Sequence, residues 1–283
     1  MYRMPHRIVT AAVLFALALA ACRQEADVPG GPAFGTAADP AAATASEAAA
    51  DDGTVRLEDV IETDSGYMIG ISYPSGMERY PGLATALKGY ADAARGELME
   101  AVRARGPGEG GPAAPYDLTL SYDVLMETPQ LVAVQAWGTL YTGGAHGNPL
   151  VARFVWLPQR SEMLRAETLV PGEEGWRAVS SFVRESLHVA LVHRLDADDL
   201  EPDDRTRLLR SGGRMIEEGT APDPANFAQF EPVPGDGGRL RALRFVFPPY
   251  QVGPYSDGMQ TVEVPASVLL PHVAPDYREL FAG

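Results

Sequence analysis

The chain contains a single cysteine, Cys22. Because there is no second thiol, no intramolecular disulfide can hold the fold together, and a hydrophobic core has to do so. Hydrophobic residues make up 46% of the 283 residues, which is the usual share for a globular protein. The chain beyond its N-terminal segments is therefore expected to fold as one large globular domain or two small ones.

The segment that ends at Cys22 has the features of a secretory signal peptide. It begins with Arg3 and Arg7, continues with an apolar core at residues 8–21, and ends in small residues. The apolar core is too short for a permanent membrane span, which needs about 20 apolar residues. We predict a signal peptide at residues 1–21.

The cysteine at the cleavage position resembles the signals of bacterial lipoproteins. In those proteins the cysteine is acylated, for example with palmitate, and becomes the N-terminus of the mature chain. The likeness implies a secreted lipoprotein that is held to a membrane by the lipid on Cys22. An aspartate directly after the lipidated cysteine would resemble an inner-membrane retention signal. This chain has Arg23 at that position, so we expect the protein to lie at the periplasmic face of the outer membrane. The alternative is an ordinary secretory signal that carries a cysteine by chance.

Residues 22–53 are predicted to form a disordered tether. They consist mainly of Ala, Gly, Pro, Asp and Thr, with almost no large apolar side chain. Such a segment cannot bury enough surface to offset the entropy of ordering it. The tether would let the folded part stand away from the membrane.

The charge of the chain is strongly negative. Its 23 basic residues stand against 38 acidic ones. Removal of residues 1–21 takes away two of the 23 arginines and lysines, which leaves 21 against 38 and a formal charge of −17. An acidic surface repels nucleic acid phosphates, so no nucleic acid partner is expected. A basic partner is favoured, because opposite potentials steer encounter.

The hydrophobic periodicity predicts an α+β fold. An alternating pattern predicts strands, and apolar residues three or four apart predict helices. The predicted strands are 67–73, 116–126, 131–141, 150–157, 239–247 and 261–264. The predicted helices are 81–105, 176–195, 203–218 and a short one after Pro265. Gly212 and Gly213 are expected to weaken the third helix.

The order of these elements predicts how they are arranged. Strands and helices are grouped, and neighbouring strands are joined by short turns, which is typical of an α+β fold with a mainly antiparallel sheet packed with helices. We expect two intertwined α/β subdomains, an N-terminal module at residues 54–145 and a C-terminal module at residues 146–283.

The first conspicuous motif is Tyr-Thr-Gly-Gly-Ala-His-Gly-Asn at residues 141–148. Gly143 and Gly144 let backbone N–H groups come close together, as in an anion nest or an oxyanion hole beside His146. However, no phosphate-loop lysine follows, and the chain has no Gly-x-Ser-x-Gly nucleophile elbow. The simpler interpretation is a tight loop between two strands, with glycines at positive φ and a locally bonded His146.

The second motif is Phe-Val-Phe-Pro-Pro-Tyr-Gln-Val-Gly-Pro-Tyr-Ser-Asp-Gly at residues 245–258. Prolines such as Pro254 stiffen the loop that carries Tyr250 and Tyr255. A tyrosine on a stiff loop loses little entropy on binding and offers both apolar area and a hydroxyl group. A recognition loop is one interpretation. The other is a structural corner in which both rings pack beneath the sheet.

Metal, cofactor and catalytic sites are not indicated. His188 and His193 are five positions apart on a predicted helix, so they point about 140° apart and do not converge. The acidic runs lack the glycine and the terminal glutamate of a calcium loop. Carboxylates are abundant and the sequence singles out no pair of them. We expect no catalytic residue, no metal and no cofactor.

The two motifs together resemble the RsiV-type extracytoplasmic domain family. That family pairs two uncharacterised modules, found in the lysozyme-sensing anti-sigma factor RsiV and beside a peptidoglycan deacetylase domain. The likeness covers about residue 54 to the C-terminus and includes Gln-x-Val-x-Val-Pro at 260–265. It implies an α+β fold and an extracytoplasmic binding role. The chain lacks the transmembrane and sigma-binding segments of RsiV and the metal motif of the deacetylase.

The likeness implies a contact surface and a class of ligand. It places Tyr250, Pro254 and Tyr255 on the contact loop, with Gly143, Gly144 and His146 on a neighbouring loop. The expected ligand is lysozyme or another basic cell-wall protein, or else peptidoglycan, bound for sensing or inhibition. The alternatives are an envelope hydrolase or esterase built around His146, and a structural scaffold of the envelope.

Overall fold

The computed structural model describes residues 55–105 and 115–282. The predicted signal peptide at 1–21, the predicted lipidation site Cys22 and the tether at 22–53 lie outside these residues. None of the helices in the described part of the chain combines the length and the apolar character that crossing a bilayer requires.

The first half of the fold is a six-stranded sheet whose spatial order follows the chain. Its strands are β1 Val60–Thr63, β2 Tyr67–Ser72, β3 Tyr116–Glu127, β4 Val132–Tyr141, β5 Asn148–Leu157 and β6 Glu162–Met163. Neighbouring strands are antiparallel except β2 and β3, which run parallel. A parallel pair needs a crossover connection, and helix α1, Pro81–Arg105, lies between these two strands in the chain.

Helix α1 covers one face of this sheet, and its bounds are those that the sequence predicts. Its buried stripe includes Leu83, Leu87 and Leu98. The core beneath it also contains buried side chains from four strands: Ile69, Ile71, Leu118, Leu120, Tyr122, Val134, Ala136 and Phe154. The alternation of β3 therefore marks which of its residues face α1, as expected for a sheet buried on that side.

The second half of the fold packs helices against a three-stranded antiparallel sheet. The helices are α2 Ala166–Leu169, α3 Glu173–Ala197, α4 Pro202–Gly219 and α5 Ala266–Leu269. The strands are β7 Phe230–Pro234, β8 Leu240–Phe247 and β9 Gln260–Pro265, in the order β7-β8-β9. Trp176 of α3 stacks on Phe227, which also contacts Phe245 and Phe247 edge-on.

The α+β class with antiparallel sheets packed against helices is confirmed. Some details differ from the sequence-based expectation. Gly212 and Gly213 do not break α4. They face Leu191 and His188 of α3 and let the two helices approach closely. Strand β7 was not expected, since two of its five residues are proline, and proline is confined to edge strands. The predicted module boundary between 145 and 146 lies in the loop between β4 and β5, which pair in one sheet.

The two halves meet on the sheet face opposite α1. Ala133 and Val155 lie on this face and belong to the core of the second half. The other end of the same face holds Trp137, which is exposed. The second half of the fold therefore covers one part of this sheet face and leaves the other part open.

A buried ion pair marks the border of the covered part. Arg153 of β5 donates from Nε to Oε1 of Glu231 of β7 over 2.6 Å, with side chains only 3% and 11% exposed. The backbone N–H of Arg153 also donates to Gln229, and its guanidinium donates to the carbonyls of Ala136 and Ala152. Arg153 thus connects β5 to the second sheet through both its side chain and its backbone.

We expect Glu231→Ala to lower the free energy of unfolding by about 3 to 5 kcal/mol, because it leaves Arg153 buried without its carboxylate. Urea unfolding measures this change. As a control, Glu62→Ala removes the partly exposed partner of Arg95 and should cost less than about 1 kcal/mol. Equal losses in the two variants would show that the buried pair does not hold the sheets together.

Buried tyrosines under α1 connect stability to alkaline pH. Burial raises the pKa of Tyr90 to about 12 and raises the pKa of Tyr122 as well. The hydroxyl of Tyr122 donates to the carbonyl of Leu87 over 2.8 Å. Both phenols therefore stay protonated in the folded state at a pH at which they ionise in the unfolded chain.

The free energy of unfolding should have its full value below about pH 10. It should fall between about pH 10 and pH 12, because the phenol of the unfolded chain loses its proton near pH 10. For Tyr90 the loss near pH 12 amounts to about 2 to 3 kcal/mol. Urea unfolding across this range should show a shallower decline in Tyr90→Phe than in the wild type. An identical decline in the variant would contradict this assignment.

Candidate functional site

The two sequence motifs meet at the surface. The hydroxyl of Tyr250 and Nε2 of His146 are 2.8 Å apart. The His146 ring also stacks on Tyr255, with centroids 4.0 Å apart and planes at 14°. The two tyrosine rings are 5.6 Å apart. His146, Tyr250 and Tyr255 thus form one cluster, which we call the aromatic cluster.

The loop between β4 and β5 supplies His146. Gly143 and Gly144 have φ angles of 107° and 92°, a region that favours glycine. The hydroxyl of Tyr141 donates to the carbonyl of Gly144 over 3.3 Å. The two glycines therefore serve as turn residues that carry the chain around to His146, as in the tight-loop interpretation. Both are exposed.

The loop between β8 and β9 supplies the tyrosines. The backbone of Tyr250 has a φ of 74°, which is strained for a bulky residue. Its N–H donates to the carbonyl of Gly253 over 2.9 Å, and the intervening Val252 is buried. The turn is therefore tight and rests on a side chain that belongs to the core.

Hydrogen bonds to other parts of the fold hold this loop in place. The Gln251 amide donates to the carbonyls of Gly219 and Asn226 over 3.0 and 2.9 Å. Past the turn, Asp257 accepts from Arg194 of α3 over 2.7 Å. The loop is thus fixed to both long helices of the second half, which leaves the tyrosines little freedom to lose on binding.

The hydrogen bonds of His146 define its tautomer. Its Nδ1 lies 3.2 Å from the carbonyl of Gly147, and a carbonyl can only accept, so Nδ1 carries the proton. In the neutral ring Nε2 is then the acceptor, and Tyr250 donates its hydroxyl proton to it. The two ring nitrogens of His146 thus contact a carbonyl and a phenol, whereas a hydrolytic triad would place a serine and a carboxylate there.

The aromatic cluster lies at the surface. Tyr255 is 38% exposed, Pro254 and His146 are exposed, and Tyr250 is half-buried. The structural-corner interpretation would require both rings to pack beneath the sheet, and they do not; the buried residues of this loop are Val252 and Gly253. The predicted residues Gly143, Gly144, His146, Tyr250, Pro254 and Tyr255 all lie on the two loops that meet here.

Sequence reasoning missed the residues that hold the tyrosine loop in place. Gln251, Val252 and Asp257 stand within the second motif, but nothing in the pattern separates them from its exposed members. Arg194 lies far away on α3 and has no sequence signal that connects it to the loop. Contacts of this kind follow from the packing of α3 and α4 near the loop.

The segment that carries the tyrosine loop is similar to a known family. Residues 240–267 match a family model described as "Protein of unknown function (DUF3298)". This DUF3298 match runs from β8 through Tyr250 and Tyr255 into α5. No curated protein is significantly similar in sequence to the chain.

Solved structures of DUF3298 proteins are also similar to this chain. One is a DUF3298 family protein from Pseudomonas aeruginosa PAO1, with 18% sequence identity, a TM-score of 0.49, and coverage of 80% of this chain and 96% of that chain. Another is a DUF3298 family member from Bacteroides fragilis NCTC 9343, with 16% identity, a TM-score of 0.45, and coverage of 78% and 93%.

We expect Tyr255→Ala to change the free energy of unfolding by less than about 1 kcal/mol, because the ring is exposed. Val252→Ala in the same loop should cost about 2 kcal/mol, because a buried side chain is lost. Thermal or urea unfolding measures both changes. A larger loss for Tyr255→Ala than for Val252→Ala would make the tyrosine a core residue and return the loop to the structural-corner interpretation.

Proposed function

We propose that the protein is a lipid-anchored envelope binding protein that engages a basic cell-wall hydrolase such as lysozyme. The observation that supports this most is the aromatic cluster. Two motifs that are far apart in the sequence form one exposed surface of His146, Tyr250 and Tyr255. Such a rigid aromatic surface is the kind of anchor that dominates protein interfaces.

The charge of the chain favours a basic partner. The formal net charge is −15 for the whole sequence, and lysozymes are commonly basic. Opposite charge speeds encounter and suppresses acidic partners, although it adds less to the final affinity than the contacts at the centre of the interface do. The aromatic cluster would provide that centre.

The likeness to the RsiV-type family belongs to this proposal. Its two motifs supply the two loops of the aromatic cluster, and lysozyme is the ligand type of that family. The DUF3298 match at residues 240–267 is less specific, because the description of that family assigns no function. Lipidation at Cys22, the outer-membrane location and the choice between sensing and inhibition are further parts of the proposal.

Binding without catalysis is favoured over the hydrolase alternative. Among the residues that the structure describes, the ring nitrogens of His146 contact Gly147 and Tyr250 and not a serine. We propose that the protein acts by equilibrium binding and uses no metal or cofactor. Peptidoglycan is the alternative ligand, and the same experiment includes it.

The test is binding of the purified full-length chain to a c-type lysozyme and, separately, to purified peptidoglycan, at low and at moderate salt. We expect lysozyme binding that persists at moderate salt. Tyr250→Ala/Tyr255→Ala should weaken it at least about 30-fold, since a lost hot spot costs 2 kcal/mol or more. Surface plasmon resonance measures both affinities.

Glu62→Ala, which changes a partly exposed residue of β1 outside the aromatic cluster, is the control and should bind like the wild type. Binding to peptidoglycan alone would replace the protein ligand by a glycan ligand. Binding to neither, with both variants folded, would contradict the proposed function.

A further inference from the structure

The open part of the first sheet's face carries exposed apolar side chains, and no element within residues 55–105 and 115–282 covers them. Residues directly opposite each other on paired strands share a face, and one such row joins Ser72, Ser121 and Trp137. The neighbouring row contains Ile61, which is 88% exposed, and Trp137 itself is 50% exposed. Trp137 is therefore the large apolar side chain that its row presents to solvent.

A carboxylate orients Trp137 on this face. Its indole N–H donates to Oδ2 of Asp123 over 2.7 Å. The amide of Gln135 donates to the same oxygen over 3.1 Å. In the part of the chain that the structure describes, Oδ1 of Asp123 receives no such bond, and the side chain is exposed. An oriented indole and an available carboxylate oxygen thus lie side by side.

The charge of this face selects the partner. On the described strands of the open face the charged side chains are Asp117 and Asp123. At its border Glu231 pairs with both Arg153 and Arg244, and Arg244 also pairs with Glu263. A face with two carboxylates and a flat indole is complementary to a planar cation. Arginine is that cation among protein side chains, because its guanidinium stacks on an indole and donates to a carboxylate at the same time.

A second copy of this chain fits the face less well. In a symmetric dimer the same patch meets itself, which would bring the carboxylates of one copy against those of the other. Like charges placed opposite each other are destabilising. The occupant is therefore a basic partner.

We propose that the open sheet face around Trp137 and Asp123 is a docking site for an arginine side chain of a basic protein. The guanidinium lies on the exposed indole and donates to Oδ1 of Asp123. This site shares no residue with the aromatic cluster. It rests on the proposed function only for the identity of the partner, which would be the same basic hydrolase.

The chain carries a natural probe for this site. It has three tryptophans, of which Trp156 and Trp176 are 6% and 3% exposed while Trp137 is 50% exposed. Quenching of tryptophan fluorescence by acrylamide therefore reports mainly on Trp137. The probes are hexa-arginine and hexa-lysine, which contain no tryptophan and carry equal charge. They differ because the cationic group of arginine is planar and that of lysine is not.

We expect hexa-arginine to protect Trp137 from acrylamide in the full-length chain at moderate salt, with an affinity about fivefold higher than that of hexa-lysine. Asp123→Asn keeps an acceptor for the indole N–H and should weaken hexa-arginine binding about fivefold. Asp117→Asn removes the same charge from the same face and should have a smaller effect. Glu62→Ala, which lies outside this site and outside the aromatic cluster, should leave the protection unchanged.

Equal protection by the two peptides, or none, would overturn the docking site, as would equal effects of Asp123→Asn and Asp117→Asn. Lysozyme binding separates this proposal from the proposed function. If lysozyme binds through Tyr255 but hexa-arginine does not protect Trp137, the docking site fails alone. If hexa-arginine protects Trp137 but lysozyme does not bind, the proposed function fails and the arginine site stands.

Discussion

The buried ion pair between Arg153 and Glu231 sets the relation between the two sheets on which the candidate site depends. Each member comes from a different sheet, and each is almost fully removed from water. A buried charge that lost its partner would cost several kcal/mol, so β5 and β7 have little freedom to shift apart. The pair also lies at the border where the second half of the fold ceases to cover the first sheet.

The candidate site combines two loops that the fold brings together. The β4–β5 loop belongs to the first sheet and carries His146, while the β8–β9 loop belongs to the second sheet and carries both tyrosines. Neither loop alone has the stack and the hydrogen bond of the aromatic cluster. The strained φ of Tyr250 is maintained because Val252 is buried in the core and the Gln251 side chain donates a hydrogen bond to Gly219. A site of this kind is rigid before a ligand arrives.

The sequence predicts the helices and strands well, but it does not predict which of them come into contact. Strands such as β3 and helices such as α1 have strong periodicity, so local pattern alone is enough to find them and to tell which side faces the core. Strand β7 escaped, because its prolines obscure the pattern. The two motifs were recognised separately. Their contact joins residues 104 positions apart, and no local pattern states which loops of two sheets come together.

The central claim is that His146 and Tyr255 act as one binding surface. A double-mutant cycle with His146→Ala, Tyr255→Ala and the combined variant, measured as affinity for a c-type lysozyme, tests it most directly. Because the two rings are stacked, the losses should be strongly non-additive, with a coupling of about 1 kcal/mol or more. Losses that simply add, in variants that remain folded, would mean that the two loops contribute independently and would contradict a single site.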